Sequence, residues 1–245
     1  MQTEYEHIDK DGFRLRGTAM SRVDGFSDVV FGFALTLLVV SVEVPHTYDE
    51  FHAVLRGSFA FAICFLIFVT IWMAHFRFFR RYGLHDKTTL WINCALLFAM
   101  LIYVYPLKFL FNLATGHMEQ RVFSNVYQQR ELMIIYGLGF AAIYLCLAAL
   151  YGNAWRQRVQ LDLNPLEMVI TMISFWNFFG NAMVGLICCL VARLLPPHLS
   201  GYAGYGFFLL LIWGRGQSLA TRGRIRAARA RTCTEDLHPS PHASE

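Results

Sequence analysis

Long apolar runs separated by short polar stretches make up most of the chain. Residues 1–22 are polar and charged (MQTEYEHIDKDGFRLRGTAMSR) and lack the apolar core of a signal peptide. Apolar runs follow over 23–44, 51–76, 89–114, 131–151, 165–194 and 201–214. A helix crossing a bilayer takes roughly 20 mostly apolar residues. The pattern therefore predicts an all-α integral membrane protein with six transmembrane helices over 23–214. Pro45 stops the first helix, Pro106 lies inside the third, and Pro196-Pro197 follows the fifth. The basic stretch FRFFRRYGLHDK reads as the second loop. Residues 215–245 are arginine-rich, then rich in Ser, Pro and His, and read as a disordered tail. No boundary suggests a second domain.

Composition narrows the class. Of 245 residues, 56 % are hydrophobic and 16 % charged, against about 25 % charged in a soluble domain. A disordered chain and a soluble enzyme are both disfavoured. The net charge of +4 matters less than where the cations fall. With six helices, sixteen Lys and Arg lie on the side of the two termini and five on the other. Cytoplasmic loops carry the excess of Lys and Arg, so both termini are predicted to be cytoplasmic. The basic tail is then a topology and lipid-headgroup signal rather than a nucleic-acid arm. Five of the six cysteines sit inside apolar runs without metal-site spacing, and no disulfide framework is visible.

The first helix carries the most informative residues. Arg22, Phe26, Ser27 and Asp28 stand at its start, and Glu43 closes it. Ionisable groups beside a span face protein or water rather than lipid. One reading is a hydrogen-bonded hub joining the inner ends of the first three helices, with Trp72, His75 and Asn93 as partners. The other is a solvated helix start, with Ser27 or Asp28 as the N-cap. Positions 29, 33, 36, 40 and 43 are spaced by four, three, four and three, so Val29, Phe33, Thr36, Val40 and Glu43 share one face.

The string R-x-x-x-F-S-D over Arg22–Asp28, followed by that apolar helix, resembles the first helix of the transmembrane protein 175 family of potassium channels. Trp72 and His75 are similar to its W-x-x-H feature, and Asp86, Asn93 and Pro106 fit its third helix. The resemblance implies a potassium-preferring channel without a T-V-G-Y-G filter loop. It implies a homotetramer whose pore is lined by the first helix, conducting passively through a hydrophobic constriction. The constriction position, usually Ile or Leu, is Phe33 here, and Thr36 is the threonine associated with potassium preference. In a four-fold assembly Glu43 forms an outer carboxylate ring that concentrates cations, or else it snorkels at the interface. No enzymatic chemistry and no cofactor are implied. The partners are potassium ions and the bilayer, in a prokaryotic plasma membrane.

Rival readings are a proton-coupled or other secondary transporter, an intramembrane enzyme, and a non-conducting assembly protein. A transporter needs a mid-membrane ionisable group on broken helices; here the ionisable groups cluster near helix ends. A Ser27, His75 and Asp28 triad lacks the G-x-S-x-G turn. Gly204-Tyr205-Gly206 lacks the preceding Thr-Val of a filter and reads as close helix packing. In the fifth helix Thr171, Ser174, Asn177 and Asn181 lie roughly on one face, lining a pathway or bonding between helices.

Overall fold

The computed structural model describes residues 8–39, 46–115 and 125–196. They form five helices: α1 (Arg22–Val39), α2 (Tyr48–Tyr82), α3 (Lys87–Thr115), α4 (Val126–Arg156) and α5 (Pro165–Leu194). Within them, Phe61–Tyr82, Lys87–Leu107, Tyr127–Arg156 and Pro165–Leu194 are each long and apolar enough to cross a membrane. The predicted sixth helix, its Gly-Tyr-Gly triplet, the tail, Val40 and Glu43 lie outside the described residues.

The helices pack in a chain of neighbours. α4 lies most extensively against α5, while α3 touches α1, α2 and α4 and so forms the middle of the bundle. The α4–α5 crossing is set by small residues. A Cβ on Gly137 would come 2.9 Å from the Gly185 carbonyl oxygen, and one on Gly185 would come 3.0 Å from that of Gly137. Backbones approach this closely only where neither residue carries a side chain.

Three helix ends differ from the sequence expectation by five or six residues, the end of α2 and both ends of α4, which runs on to Arg156. The stretch expected as a basic loop is the last part of α2, which runs to Tyr82. Phe78, Phe79 and Tyr82 are buried at helical spacing, and Arg77 and Arg80 stand on the other side. The helix stops at Gly83, whose φ of 57° and N–H bond to the Phe79 carbonyl (2.9 Å) close its C-terminus. α4 starts at Val126 because Asn125 caps it, its side chain accepting from the Tyr127 N–H.

Residues before α1 are part of the fold. A tight turn brings Ile8 opposite Arg14 in an isolated antiparallel bridge. Phe13 is fully buried, its ring edge-on to Tyr82 at 5.2 Å. The Gly17 N–H then donates to the Arg80 carbonyl (3.1 Å), holding the segment along the end of α2. The arginine-rich ends of α2 and α4, the start of α5 and this segment share one end of the bundle, called here the basic end.

Candidate functional site

The start of α1 is tied to α2 and α3 by polar side chains. Ser27 is fully buried, and its hydroxyl donates to the Val23 carbonyl (2.8 Å). The same oxygen accepts from Asn93 Nδ2 at 2.9 Å. With its amide nitrogen committed, Asn93 presents Oδ1 to His75 Nε2 at 2.8 Å. That nitrogen must carry the hydrogen, because the amide oxygen only accepts. Next to Ser27 on the same helix, Asp28 accepts from the Trp72 indole N–H at 2.8 Å. Ser27, Asp28, Trp72, His75 and Asn93 are thus brought together. Arg22 and Phe26 are not: both are exposed and neither bonds to the other five.

His75 also packs against Phe31 and Phe79, at ring separations of 5.4 and 4.7 Å. A cavity of about 200 Å³ borders this cluster, with Asp24, Asp28, His75 and Arg80 in its wall. Asp86 caps α3, accepting from the N–H groups of Thr88 (3.1 Å) and Thr89 (3.3 Å). Burial alone would raise its pKa. Hydrogen bonds from Thr89, Gln157 and Asn153 outweigh that and hold it at about 2.

Replacing Asn93 by Leu removes both bonds: His75 Nε2 is left buried without its acceptor, and the buried Ser27 oxygen, still donating to the Val23 carbonyl, loses its donor. A buried orphan costs about 1–3 kcal/mol. The expected result is a clear fall in the thermal midpoint of the purified protein. An unchanged midpoint would mean that the cluster adds no stability.

The two sides of α1 differ. Ser27, Phe31, Ala34 and Leu38, spaced by four, three and four, are buried against the bundle. Phe26, Val29, Phe33 and Thr36 lie on the opposite side and are exposed. Val29 is 70 % exposed and Phe33 57 %. The Thr36 hydroxyl donates back to the Gly32 carbonyl (2.9 Å), which leaves its oxygen free to accept again.

Sequence reasoning missed a second constellation at the basic end. Glu167 has a fully buried side chain that pairs with Arg14 (3.0 Å) and Arg16 (2.8 Å). It also closes a capping box with Asn164 at the start of α5. Arg81 pairs with Asp9 (2.6 Å) and Asp11 (2.5 Å). Burial alone would raise the Asp9 pKa, and the Arg81 guanidinium outweighs that and lowers it. The N-terminal segment is therefore fastened to α2 and α5 by charge. A capping-box pattern, Asn164-x-x-Glu167, was the one sequence signal for it.

Comparison with known proteins places the chain. The sequence pattern of the family described as "Endosomal/lysosomal potassium channel TMEM175" matches residues 22–106. A protein of Marivirga tractuosa named "Potassium channel" is 35 % identical over 228 residues, covering 86 % of this chain and 92 % of that protein. The chain belongs to the TMEM175 family. Its fold agrees with that of a solved TMEM175 chain, a single-residue variant of the potassium channel MtTMEM175 crystallised with a nanobody–MBP fusion. The TM-score is 0.73 at 33 % identity, covering 86 % of this chain and 99 % of that one. A potassium channel of Chamaesiphon minutus is 26 % identical over 149 residues, 58 % of this chain and 66 % of that protein. The TMEM175 pattern begins on the first residue of α1 and ends at Pro106 in α3. It thus spans every residue of the polar cluster and both sides of α1, while Glu167 lies beyond it. The TMEM175 proteins are a family of channels, not of enzymes, and this chain is a multi-pass membrane protein.

Proposed function

We propose that the chain is a potassium-preferring cation channel that works as a homotetramer around α1, without a T-V-G-Y-G filter loop. One observation carries the reading. The first helix buries one side against its own bundle and leaves a continuous apolar side of Val29 and Phe33, followed by Thr36, uncovered. Four copies facing an axis would make an apolar ring at Phe33 and a hydroxyl ring at Thr36. Rings of apolar side chains gate by dewetting, and oxygen rings replace part of an ion's hydration shell. Val40 and Glu43 continue the same spacing towards an outer mouth. The polar cluster of Ser27, Asp28, Trp72, His75 and Asn93, with Arg22 and Phe26 beside it, sets the angle at which α1 leaves the basic end. The sixteen-to-five division of cations supports six spans with both termini in the cytoplasm of a prokaryotic cell.

The test is reconstitution in liposomes, with potassium and sodium flux measured under an imposed gradient of each. Passive potassium flux above sodium flux is expected, with no dependence on a proton gradient. Thr36→Ala should lower the potassium preference by about fivefold, the equivalent of about 1 kcal/mol for a lost hydroxyl contact. Flux that requires a proton gradient would make the protein a transporter. Silence of both the wild type and a Phe33→Ala variant would make it a non-conducting assembly protein.

A further inference from the structure

A second cavity, of about 230 Å³, opens between α2, α4 and α5 towards the basic end. The polar residues of α5 that stand out in the sequence divide at it. Thr171 bonds across to the Tyr82 hydroxyl (2.7 Å), and Ser174 donates back to the Ile170 carbonyl. Asn177 and Asn181 line the cavity, and their side chains make no hydrogen bond to the described residues. Tyr151 of α4 is only 3 % exposed, lines the same cavity, and its hydroxyl is likewise without a partner among the described residues.

The charged residues that line the cavity are both cations. Arg77 and Arg81 of α2 both line the cavity. Arg81 is paired with two carboxylates, Asp9 and Asp11, neither of which lines the cavity. Arg77 is in no ion pair among the described residues, and it commits only Nε, to the Met73 carbonyl at 3.2 Å. The remaining guanidinium N–H groups, the Tyr151 phenol and two carboxamides therefore border a single space with their donors unused. A donor-rich cavity whose lining carries guanidinium groups and no carboxylate matches a tetrahedral oxyanion. Its depth points to the source. Arg77 lies five residues before the end of the span Phe61–Tyr82. At 1.5 Å per residue it sits about 8 Å inside the helix end, from where a long guanidinium side chain can snorkel to the headgroup region. Basic pockets between spanning helices hold lipid headgroups in this way.

We propose that the cavity between α2, α4 and α5 binds the phosphate group of an anionic phospholipid, with Arg77 as the charge partner and Tyr151, Asn177 and Asn181 as neutral donors. The site is lateral to α1, so an occupying lipid would brace α5 against α2 without entering the ion path. The inference rests on the membrane setting and is independent of ion conduction.

The experiment counts lipid retained by the intact protein. Wild type, Arg77→Gln, Arg77→Lys and Asn177→Leu are purified from membranes of mixed phosphatidylcholine and phosphatidylglycerol, and bound lipid is read by native mass spectrometry. Wild type should retain phosphatidylglycerol in preference. Arg77→Gln should lose about tenfold in retention, the equivalent of about 1.4 kcal/mol. Asn177→Leu should lose several-fold with every charge in place, and Arg77→Lys should keep part of the binding. A wild type without preference for phosphatidylglycerol overturns the proposal. So does full retention in Asn177→Leu, which would mean a surface charge rather than a built site, and this arm stands even if Arg77→Gln fails to fold. Inorganic phosphate in excess is the last arm. Failure to displace the lipid supports a lipid site, and ready displacement keeps the oxyanion site but overturns the lipid as its source.

Discussion

Replacing Phe33 by Ala should raise potassium flux through the reconstituted channel by about tenfold or more, the rate gain from lowering a barrier by about 1.4 kcal/mol. The expectation follows from where the side chain is. Phe33 is 57 % exposed on the uncovered side of α1, one turn from Val29 and three residues before Thr36. In a tetramer, four phenyl rings at one level form a narrow apolar collar, and water leaves such a collar readily. Alanine widens it and lets water and ions pass. Stability should hardly change, because substitutions at exposed positions usually stay within about 0.5 kcal/mol. Phe31 supplies the contrast. It stands two residues earlier, is 3 % exposed, and packs on His75. Phe31→Ala should destabilise by about 3–5 kcal/mol through the cavity it leaves, with no comparable gain in flux per folded channel. If Phe33→Ala instead lowers the thermal midpoint and leaves flux unchanged, Phe33 is a packing residue and the constriction lies elsewhere on α1.

The two sides of α1 were legible in the sequence for a simple reason. Positions three and four apart share a helical face, so Val29, Phe33 and Thr36 fall together whatever they contact. Polar residues inside apolar runs were legible too, since they must find partners or reach water. Ser27, Asp28, Trp72, His75 and Asn93 do meet across three helices. Phe26 adjoins Ser27 in sequence but points away, because successive residues on a helix diverge by about 100°. The extent of α2 was hidden by Arg77, Arg80 and Arg81, which made an aromatic helical face look like a loop. Least legible was what the cations bind. Read along the chain, Arg14, Arg16 and Arg81 mark topology. Glu167 lies about 150 residues from Arg14 and Arg16 in sequence, and no local pattern reports a partner at that separation. The same holds for Asn153, which reaches back to Thr89 at 3.0 Å to join α4 to the start of α3.

Replacing Glu167 by Gln should release the N-terminal segment and speed its cleavage by trypsin about a hundredfold, the equivalent of about 3 kcal/mol in the opening equilibrium. The carboxylate is fully buried, and each of its oxygens accepts three hydrogen bonds. Oε1 takes the Arg14 N–H, Arg14 Nε and an Arg16 guanidinium nitrogen; Oε2 takes Arg14, Arg16 and the Asn164 N–H. A glutamine offers one acceptor oxygen and turns an amide donor towards two guanidinium groups. Removing one member of a buried ion cluster costs about 3–5 kcal/mol, because the charges that remain are left uncompensated. The loss is local at first. Phe13 stays buried against Tyr82, and Arg81 keeps Asp9 and Asp11. Cleavage should therefore quicken after Arg14 and Arg16 before the bundle melts. A triple replacement of Arg14, Arg16 and Glu167 by Met, Met and Leu separates charge from attachment. If the cluster works by avoiding unpaired charge, the triple variant should resist melting better than Glu167→Gln. Unchanged cleavage at other Lys and Arg sites would confine the effect to this segment. The segment continues directly into α1, and at Gly17 a Cβ would fall on the Phe79 carbonyl oxygen, so the chain has little room to shift there. Slack at Glu167 should thus reach the start of α1, and flux per folded channel should change in Glu167→Gln but recover in the triple variant. If cleavage is unaffected by Glu167→Gln, the Glu167 cluster carries no docking energy, and Phe13 and the Arg81 pairs hold the segment.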